Sequence, residues 1–258
     1  MIAFPQRGWL FDLDGTIYLG DAVVPGAEAV VRTIRGDGRR VAFLSNKPLQ
    51  TREDYARKLT GLGIPADPDD VINSSLVLAR HLATLDRGAP VFVIGEPPLI
   101  AELTACGFEV RPDHRVRWVV IALDRTFDYA KLHVALQAVR GGARLIATNP
   151  DRTCPTAEGE IPDCAGMIAA VEAVTGEAVE IVVGKPSPII LEVALRRLGV
   201  AAADCVIVGD RLETDIVMGK RHGLATVLVL SGITRAGDPR IAEIGPDAVL
   251  PSVRELIT

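Results

Sequence analysis

Two aspartates, Asp12 and Asp14, lie two positions apart at the end of the short apolar run 9–11. Buried carboxylates raise each other's pKa and lose solvation, so we expect a cation beside them. Mg²⁺ prefers oxygen ligands and often binds next to a substrate phosphate. Gly15 permits the tight turn in which backbone approaches a ligand. The pair could instead cap the turn, but together with Gly15 it indicates a metal and phosphate site.

A second acidic pair, Asp210 and Asp215, occurs in the segment Gly-Asp-Arg-Leu-Glu-Thr-Asp. Asp210 ends an apolar run, and Asp215 lies near the start of the following helical pattern. One carboxylate can bind a metal directly while the other holds a metal-bound water. Interaction with the helix dipole would explain Asp215 alone, but it does not explain the pair.

Two further turns carry groups that bind phosphate oxygens. Ser45 and Asn46 follow an apolar run and offer a hydroxyl, an amide and backbone N–H groups. Lys185 stands between Gly184 and Pro186 and can reach into a crevice as a point charge. Taken alone, Ser45 and Asn46 could belong to a plain turn, and Lys185 could be a surface lysine.

Apolar runs alternate with helical patterns along the chain, which predicts an α/β fold with a mostly parallel sheet. Because ligands bind at the carboxyl ends of such strands, turns after four strands can converge on one site. These turns carry Asp12, Ser45, Lys185 and Asp210. Residues 82–180 have their own strand–helix alternation, so we predict a domain inserted into a core of residues 1–81 and 181–258. The predicted strands are 9–11, 41–44, 91–94, 118–123, 145–147, 180–183, 205–208 and 226–230, and the predicted helices are 25–34, 51–62, 74–85, 97–106, 129–139, 164–174 and 189–198.

The bulk composition excludes several functional classes. The 258 residues are 48% hydrophobic and 24% charged, as in folded globular proteins, and the formal net charge is −5. Without a basic stripe, we expect no nucleic-acid polymer as a partner. With no apolar run of membrane-spanning length or signal peptide, we expect no membrane association and a cytoplasmic location. The four cysteines have no zinc-type spacing and are expected to be small buried hydrophobes.

Together the four polar clusters resemble the motifs of the haloacid dehalogenase (HAD) superfamily of phosphotransferases. Asp-Leu-Asp-Gly-Thr is similar to its first motif, Leu-Ser-Asn to its second, Gly-Lys-Pro to its third and Gly-Asp-Arg-Leu-Glu-Thr-Asp-Ile to its fourth. The 139 residues between Ser45 and Lys185 resemble the large α/β cap of subfamily IIA, the NagD-like and 4-nitrophenylphosphatase-like branch. Segments 146–151 and 228–234 also match that branch.

This resemblance implies a Rossmann-like parallel-sheet core with an inserted α/β cap, and a magnesium-dependent phosphatase acting on small phosphorylated metabolites. Asp12 would be the nucleophile and Asp14 the acid–base. Mg²⁺ would bind Asp12, Asp210 and the backbone carbonyl of Asp14, and Asp215 would hold its waters. Dimers occur in this branch, so a homodimer is compatible with the resemblance. The residues implied to bind phosphate or substrate are Ser45, Asn46, Lys185 and Asn149, with Asp151 in the cap region that faces the site.

Two departures from the branch concern the choice of substrate. Lys47 replaces an asparagine common at the second motif and adds a cation near the mouth of the site, and segment 162–166 lacks the expected glycine-rich turn.

The sequence leaves open whether the phosphate is transferred to water or to a sugar hydroxyl. A non-catalytic phosphate sensor is disfavoured because all four aspartates are present. A dehalogenase is disfavoured by the same metal-site residues, and a receiver domain by the chain length and the insertion.

Overall fold

The computed structural model describes residues 4–156 and 158–257. Fifteen strands are assigned within these residues. In chain order they are β1 (Gly8–Asp12), β2 (Tyr18–Leu19), β3 (Ala22–Val23), β4 (Arg40–Ser45), β5 (Val71–Asn73), β6 (Pro90–Ile94), β7 (Glu109–Val110), β8 (Trp118–Ile121), β9 (Arg144–Ala147), β10 (Thr153–Thr156), β11 (Gly159–Pro162), β12 (Ile181–Val182), β13 (Cys205–Gly209), β14 (Ala225–Val229) and β15 (Ala248–Leu250).

The α-helices of the same residues are α1 (Ala27–Gly36), α2 (Arg52–Gly61), α3 (Ser74–Leu85), α4 (Pro97–Ala105), α5 (Tyr129–Arg140), α6 (Cys164–Thr175), α7 (Pro188–Leu198), α8 (Val217–His222) and α9 (Arg240–Ile244). The first seven match the predicted helical segments closely, α8 follows Asp215 where a helical pattern was expected, and α9 was not predicted. Local chemistry explains several boundaries. Thr51 caps α2 in a capping box with Asp54, and Gly176 and Gly199 end α6 and α7 with positive φ angles.

Two parallel sheets organise the chain. A six-stranded sheet has the order β15-β14-β13-β1-β4-β5, and a five-stranded sheet has the order β12-β9-β8-β6-β7. The first sheet uses strands from both ends of the chain, and the second uses strands between Pro90 and Val182. The predicted α/β fold is therefore confirmed. Two short antiparallel hairpins, β2–β3 and β10–β11, complete the pairing.

Alternating side chains of β1 reach different parts of the core. Trp9 and Phe11 pack in a cluster on one face of the six-stranded sheet. Leu10, on the other face, belongs to a cluster that continues through α3 and α4 into the five-stranded sheet. Helix α3 packs against α7 on one side and α4 on the other. One apolar cluster thus links the two sheets, with α3 between them.

The strand before Gly184 corrects one prediction. The sequence predicts that strand 180–183 ends beside β1, β4 and β13, but β12 pairs in parallel with β9 of the five-stranded sheet. Backbone N–H groups of Val183 and Gly184 continue this pairing to Ala147 and Thr148. Lys185 therefore reaches the site from the edge of the second sheet. The apolar pattern of residues 180–183 would be the same in either sheet, so the sequence could not show to which sheet this strand belongs.

Candidate active site

The turn after β1 places Asp12 and Asp14 at the carboxyl edge of the six-stranded sheet. Backbone N–H groups of Gly15 and Ile17 donate to the carbonyls of Tyr18 and Leu13, at 2.7 and 2.9 Å, and close the turn. Gly15 has a φ of +88°, and a Cβ there would lie 2.5 Å from Oδ2 of Asp210. Only glycine suits this position, because both the backbone angle and the nearby carboxylate exclude a side chain.

Lys185 joins the two acidic segments in a buried ion pair. Its Nζ donates a short hydrogen bond to Oδ1 of Asp12 and a 2.7 Å bond to Oδ1 of Asp215. Only 2% of Lys185 is exposed. Burial alone would lower the pKa of Lys185, but the two carboxylates outweigh it and raise that pKa. The lysine is therefore held charged beside the predicted nucleophile.

Three carboxylates form a group suited to a divalent cation. Asp12, Asp210 and Asp215 each offer an oxygen, and these oxygens lie within 4.8 Å of one another. Burial raises the pKa of Asp12, against the charge of Lys185, and burial followed by the charge of Asp215 raises the pKa of Asp210 to about 7. Buried anions at such spacing are costly, so the donor set and charge fit Mg²⁺.

The hydrogen bonds of Asp210 and Asp215 orient these carboxylates. The backbone N–H of Ile233 donates to Oδ2 of Asp210 at 2.6 Å. Both oxygens of Asp215 have protein partners, because Lys185 binds one and the backbone N–H of Arg211 donates to the other at 3.2 Å. Gly209 is packed directly against Asp215, with no room for a Cβ. Asp215 is thus fixed by its neighbours more fully than Asp210.

Asp14 lies outside the three-carboxylate group. Its side chain faces the cavity, and its Oδ1 accepts a 3.4 Å hydrogen bond from Nζ of Lys47. Burial alone would lower the pKa of Lys47, but the Asp14 charge and Cys154 together outweigh burial and raise that pKa. Lys47 therefore stands as a charged partner of the predicted acid–base.

Ser45 lies at the end of β4 in the cavity wall. Its Oγ accepts a 3.1 Å hydrogen bond from the backbone N–H of Lys47 and lies 3.3 Å from the hydroxyl of Tyr55. Tyr55, from α2, also donates to the carbonyl of Lys47 at 3.0 Å. Helix α2 therefore positions the turn that carries Ser45 and Lys47.

Asn46 plays a different part from the one predicted. Its Oδ1 accepts from the backbone N–H of Lys185 at 2.8 Å, and its Nδ2 donates to the carbonyl of Lys185 and to Oδ2 of Asp151. Asn46 lines the cavity, but both hydrogens of its side-chain amide already have protein partners. Asn46 instead fixes the backbone of Lys185 and links it to Asp151.

Asn149 is also corrected by its geometry. It is completely buried, its Nδ2 donates to Asp151 and Asp163 at 3.1 and 3.2 Å, and it is not part of the cavity wall. The structure places Asp151 and Asp163 in that wall instead. Burial raises the pKa of both carboxyls, that of Asp163 to about 6 with help from the Asp151 charge. Asn149 orients two acidic groups rather than touching substrate.

The hairpin β10–β11 supplies residues that the sequence did not identify. Thr153, Cys154 and Pro155 line the cavity opposite the aspartates, and Nη2 of Arg211 donates to the Thr153 carbonyl at 2.5 Å. Arg211 lies inside the fourth motif, directly after Asp210, so the sequence could have indicated it as a site residue. The sequence gives no such indication for the hairpin, because the hairpin combines Pro155 with few apolar residues. Cys154 is buried as predicted, but it faces the cavity.

The cavity is small, with a volume of about 40 Å³. A water needs ~10–15 Å³ of such space, so roughly three would fill it. An organic phosphomonoester is larger than that, and the cavity as it stands does not accommodate one.

Comparisons with known proteins agree with this geometry. Sequence profiles of the haloacid dehalogenase-like hydrolases match residues 9–109 and 182–256. The sugar-phosphatase AraL of Bacillus subtilis is 40% identical over 250 residues, covering 96% of this chain and 91% of the relative. A 4-nitrophenylphosphatase structure from Thermotoga maritima aligns with a TM-score of 0.92 at 34% identity, covering 97% and 96% of the two chains. NagD from Escherichia coli aligns with a TM-score of 0.86 at 32% identity, covering 98% of both.

The fold, the motifs and these matches define the class: the chain belongs to the haloacid dehalogenase-like hydrolases. Within this family it is a subfamily IIA phosphatase, a phosphoric monoester hydrolase of the NagD-like and 4-nitrophenylphosphatase-like branch. Both the family and the activity implied by the sequence motifs are confirmed. Within residues 4–156 and 158–257, no helix has the length and apolar character needed to cross a membrane.

Proposed function

We propose that the chain is a Mg²⁺-dependent phosphatase of small sugar-phosphate-like metabolites that works through a phosphoenzyme on Asp12. The observation that carries this proposal is the buried group of Asp12, Asp210 and Asp215 beside the charged Lys185. The similarity to a sugar-phosphatase supports the choice of substrate class. We expect the phosphoryl group to be transferred to water, and its transfer to an acceptor alcohol would use the same residues.

The contacts support the following proposed roles for the residues. A carboxylate oxygen of Asp12 attacks phosphorus and forms an acyl phosphate, so one difficult displacement becomes two easier ones. Asp14, two residues on, gives its proton to the leaving oxygen and later takes one from the attacking water. Lys185 and the Ser45 hydroxyl stabilise the charge on the transferring phosphoryl group. Lys47 holds Asp14 in place, since their side chains are 3.4 Å apart.

The acidic residues fit Mg²⁺ as the metal. Asp12 and Asp210 would bind it directly with the backbone carbonyl of Asp14. Asp215 would act through water, because both of its oxygens already have protein partners. The bound ion would neutralise phosphate charge and so let a carboxylate approach a dianion.

The segment that contains the five-stranded sheet would act as a cap over this site. We propose that its hairpin β10–β11 selects the leaving group, because Thr153, Cys154 and Pro155 face the aspartates across the cavity. Because the cavity is too small for a phosphomonoester, this cap would open for each substrate and product. We further propose a cytoplasmic location, and a homodimer is compatible with the branch.

The direct test combines a substrate panel with removal of the nucleophile. Sugar, glycerol, nucleotide and aryl phosphates are assayed with Mg²⁺ and with EDTA, and phosphate release is expected only with the metal. Asp12→Asn is expected to lower turnover at least roughly a thousandfold. Its fold should persist, because the change removes a buried charge without changing side-chain size. The exposed Asp37→Asn serves as the matched control and should keep full activity.

Two results would contradict the proposal. Turnover of Asp12→Asn near that of the unchanged enzyme would show that Asp12 is not the nucleophile. Undiminished hydrolysis in EDTA would remove the metal from the mechanism.

A further inference from the structure

We propose a second binding site, for a small phosphate-bearing anion, at the end of the six-stranded sheet away from the catalytic cavity. Strand β4 joins the two places: Arg40, its first residue, lines this cleft, and Ser45, its last, lines the cavity. At ~3.3 Å per residue the strand separates them by about 17 Å. We call the site the arginine cleft, defined by Arg35, Arg39, Arg40, Arg197, Asp67 and Asp70.

The arginine cleft brings together cations from three parts of the chain. Arg35 lies in the last turn of α1, Arg40 begins β4 directly after Arg39, and Arg197 lies in the last turn of α7. The cleft has a volume of about 640 Å³. Sites for small organic ligands usually measure ~300–1,000 Å³, so a phosphorylated metabolite would fit.

Backbone carbonyls hold the guanidinium groups in place. Arg39 donates to the carbonyl of Phe4 at 2.6 Å, Arg40 to that of Leu198 at 2.5 Å, and Arg197 to that of Asp69 at 2.7 Å. Arg35 makes a short bond of the same kind to Pro65. A carbonyl orients a guanidinium without cancelling its charge. These carbonyl contacts thus hold the four cations in place and leave their charge intact.

Acidic side chains supply too little negative charge to balance the cleft. Asp70 accepts from Arg35 at 3.0 Å and from Arg197 at 2.9 Å, which uses both of its oxygens. Asp67 is the other acidic residue of the wall. The four arginines and two aspartates of the wall carry a net charge of +2, and Asp37, 3.9 Å from Arg39, reduces this to +1 around the cleft, whereas the whole chain carries −5.

The unused donors of these arginines suit phosphate. Among the described residues Arg40 uses only Nη1, so its Nε and Nη2 face no protein acceptor. Guanidinium groups match phosphate oxygens with paired, charge-assisted hydrogen bonds. A multiply charged anion would also relieve repulsion among the four cations. The site uses none of the proposed catalytic residues, so it stands independently of the mechanism.

Isothermal titration with pyrophosphate in EDTA, at constant ionic strength, tests the proposal. Arg40→Gln should bind roughly tenfold more weakly, as expected for loss of a charge-assisted contact. Asp67→Asn should bind more tightly, because it removes a repelling charge. Arg144→Gln is the matched control and should bind normally, since Arg144 pairs with Glu180 at the second sheet. Hydrolysis of 4-nitrophenyl phosphate by Arg40→Gln should not change, which separates this site from the catalytic one.

The proposal is overturned by absence of pyrophosphate binding at millimolar concentration. It is overturned equally if Arg40→Gln binds like the unchanged protein, because the bound anion would then lie elsewhere. If Arg40→Gln does not fold, the surface change Asp67→Asn becomes the test. Unchanged affinity of that variant for pyrophosphate would overturn the proposal.

Discussion

Lys185 is the residue whose surroundings explain most about this site. It is the cation between Asp12 and Asp215, and it is buried with them. A buried charge is tolerated only with a partner, and each partner here depends on the others. The same contacts that prepare a phosphate-binding group therefore also maintain the local structure. Stability and catalysis are linked at this single side chain.

Lys185→Met is expected to destabilise the metal-free protein by about 3–5 kcal/mol near neutral pH, because two buried carboxylates lose their cation. Burial already raises the pKa of Asp12, and loss of the lysine raises it further. The penalty should therefore shrink as the pH falls and Asp12 takes up a proton. Urea unfolding in EDTA at acidic and neutral pH measures both effects.

The matched control for this change is Lys220→Met. Lys220 pairs with Asp247 at 2.9 Å on the surface, where its side chain is 37% exposed. Such pairs contribute about 0–1 kcal/mol, so the control should unfold almost like the unchanged protein. Equal stabilities for Lys185→Met and Lys220→Met would contradict the buried ion pair.

At the scale of elements, strand ends and the turns after them build the site. Strands β1, β4 and β13 end on Asp12, Ser45 and Gly209, and the carboxyl edges of parallel strands bring these ends together. Close packing then fixes the detail. Gly209 is the clearest case, because the carboxylate of Asp215 occupies the space that a side chain would need.

Gly209→Ala is expected to displace Asp215 and so weaken Mg²⁺ binding roughly tenfold or more, with a stability loss of about 1–3 kcal/mol from overpacking. The Mg²⁺ concentration that gives half-maximal turnover is the measurement. Gly61→Ala is the control, since Gly61 ends α2 with open space around it. That change should leave the metal requirement unaltered and stabilise the helix slightly. A normal metal requirement in Gly209→Ala would refute the packing argument.

The sequence predicted these elements well where apolar periodicity and glycine or proline boundaries were strong. The structure brings the predicted residues Asp12, Asp210, Asp215 and Lys185 together, and charged residues at strand ends made them conspicuous in the sequence. The sequence did not predict long-range pairing: β12 lies in the second sheet, and the amide groups of Asn46 and Asn149 bind protein partners. Neither sheet membership nor the hydrogen-bond partner of an amide is encoded in local pattern. The hairpin β10–β11 was missed because Pro155 and few apolar residues give it no strand pattern.

At the scale of the whole molecule, metal binding and proton binding compete. Without metal, burial raises the pKa of Asp12, and burial and the Asp215 charge raise that of Asp210 to about 7. The folded protein then binds more protons than the unfolded chain between about pH 4 and pH 7, so these groups make it less stable as the pH rises through that window. Mg²⁺ removes this penalty, since it binds the deprotonated carboxylates.

The melting temperature in Mg²⁺ and in EDTA, measured at about pH 5.5 and about pH 7.5, tests this competition. Stabilisation by Mg²⁺ should be larger at the higher pH. Sodium chloride at matched ionic strength controls for screening. An equal gain at both values would show that Asp12 and Asp210 do not take up protons as their burial requires.

The backbone around Lys185 is tied to both parallel sheets. Gly184, the residue before it, donates to the Thr148 carbonyl at 2.7 Å beside the second sheet, whereas Asn46, which follows β4, binds both the N–H and the carbonyl of Lys185. The cap opening that we propose would therefore turn about this peptide, and Asn46 would keep the ammonium group beside Asp12 while product leaves. Such an enzyme would keep its nucleophile paired at every stage of a turnover.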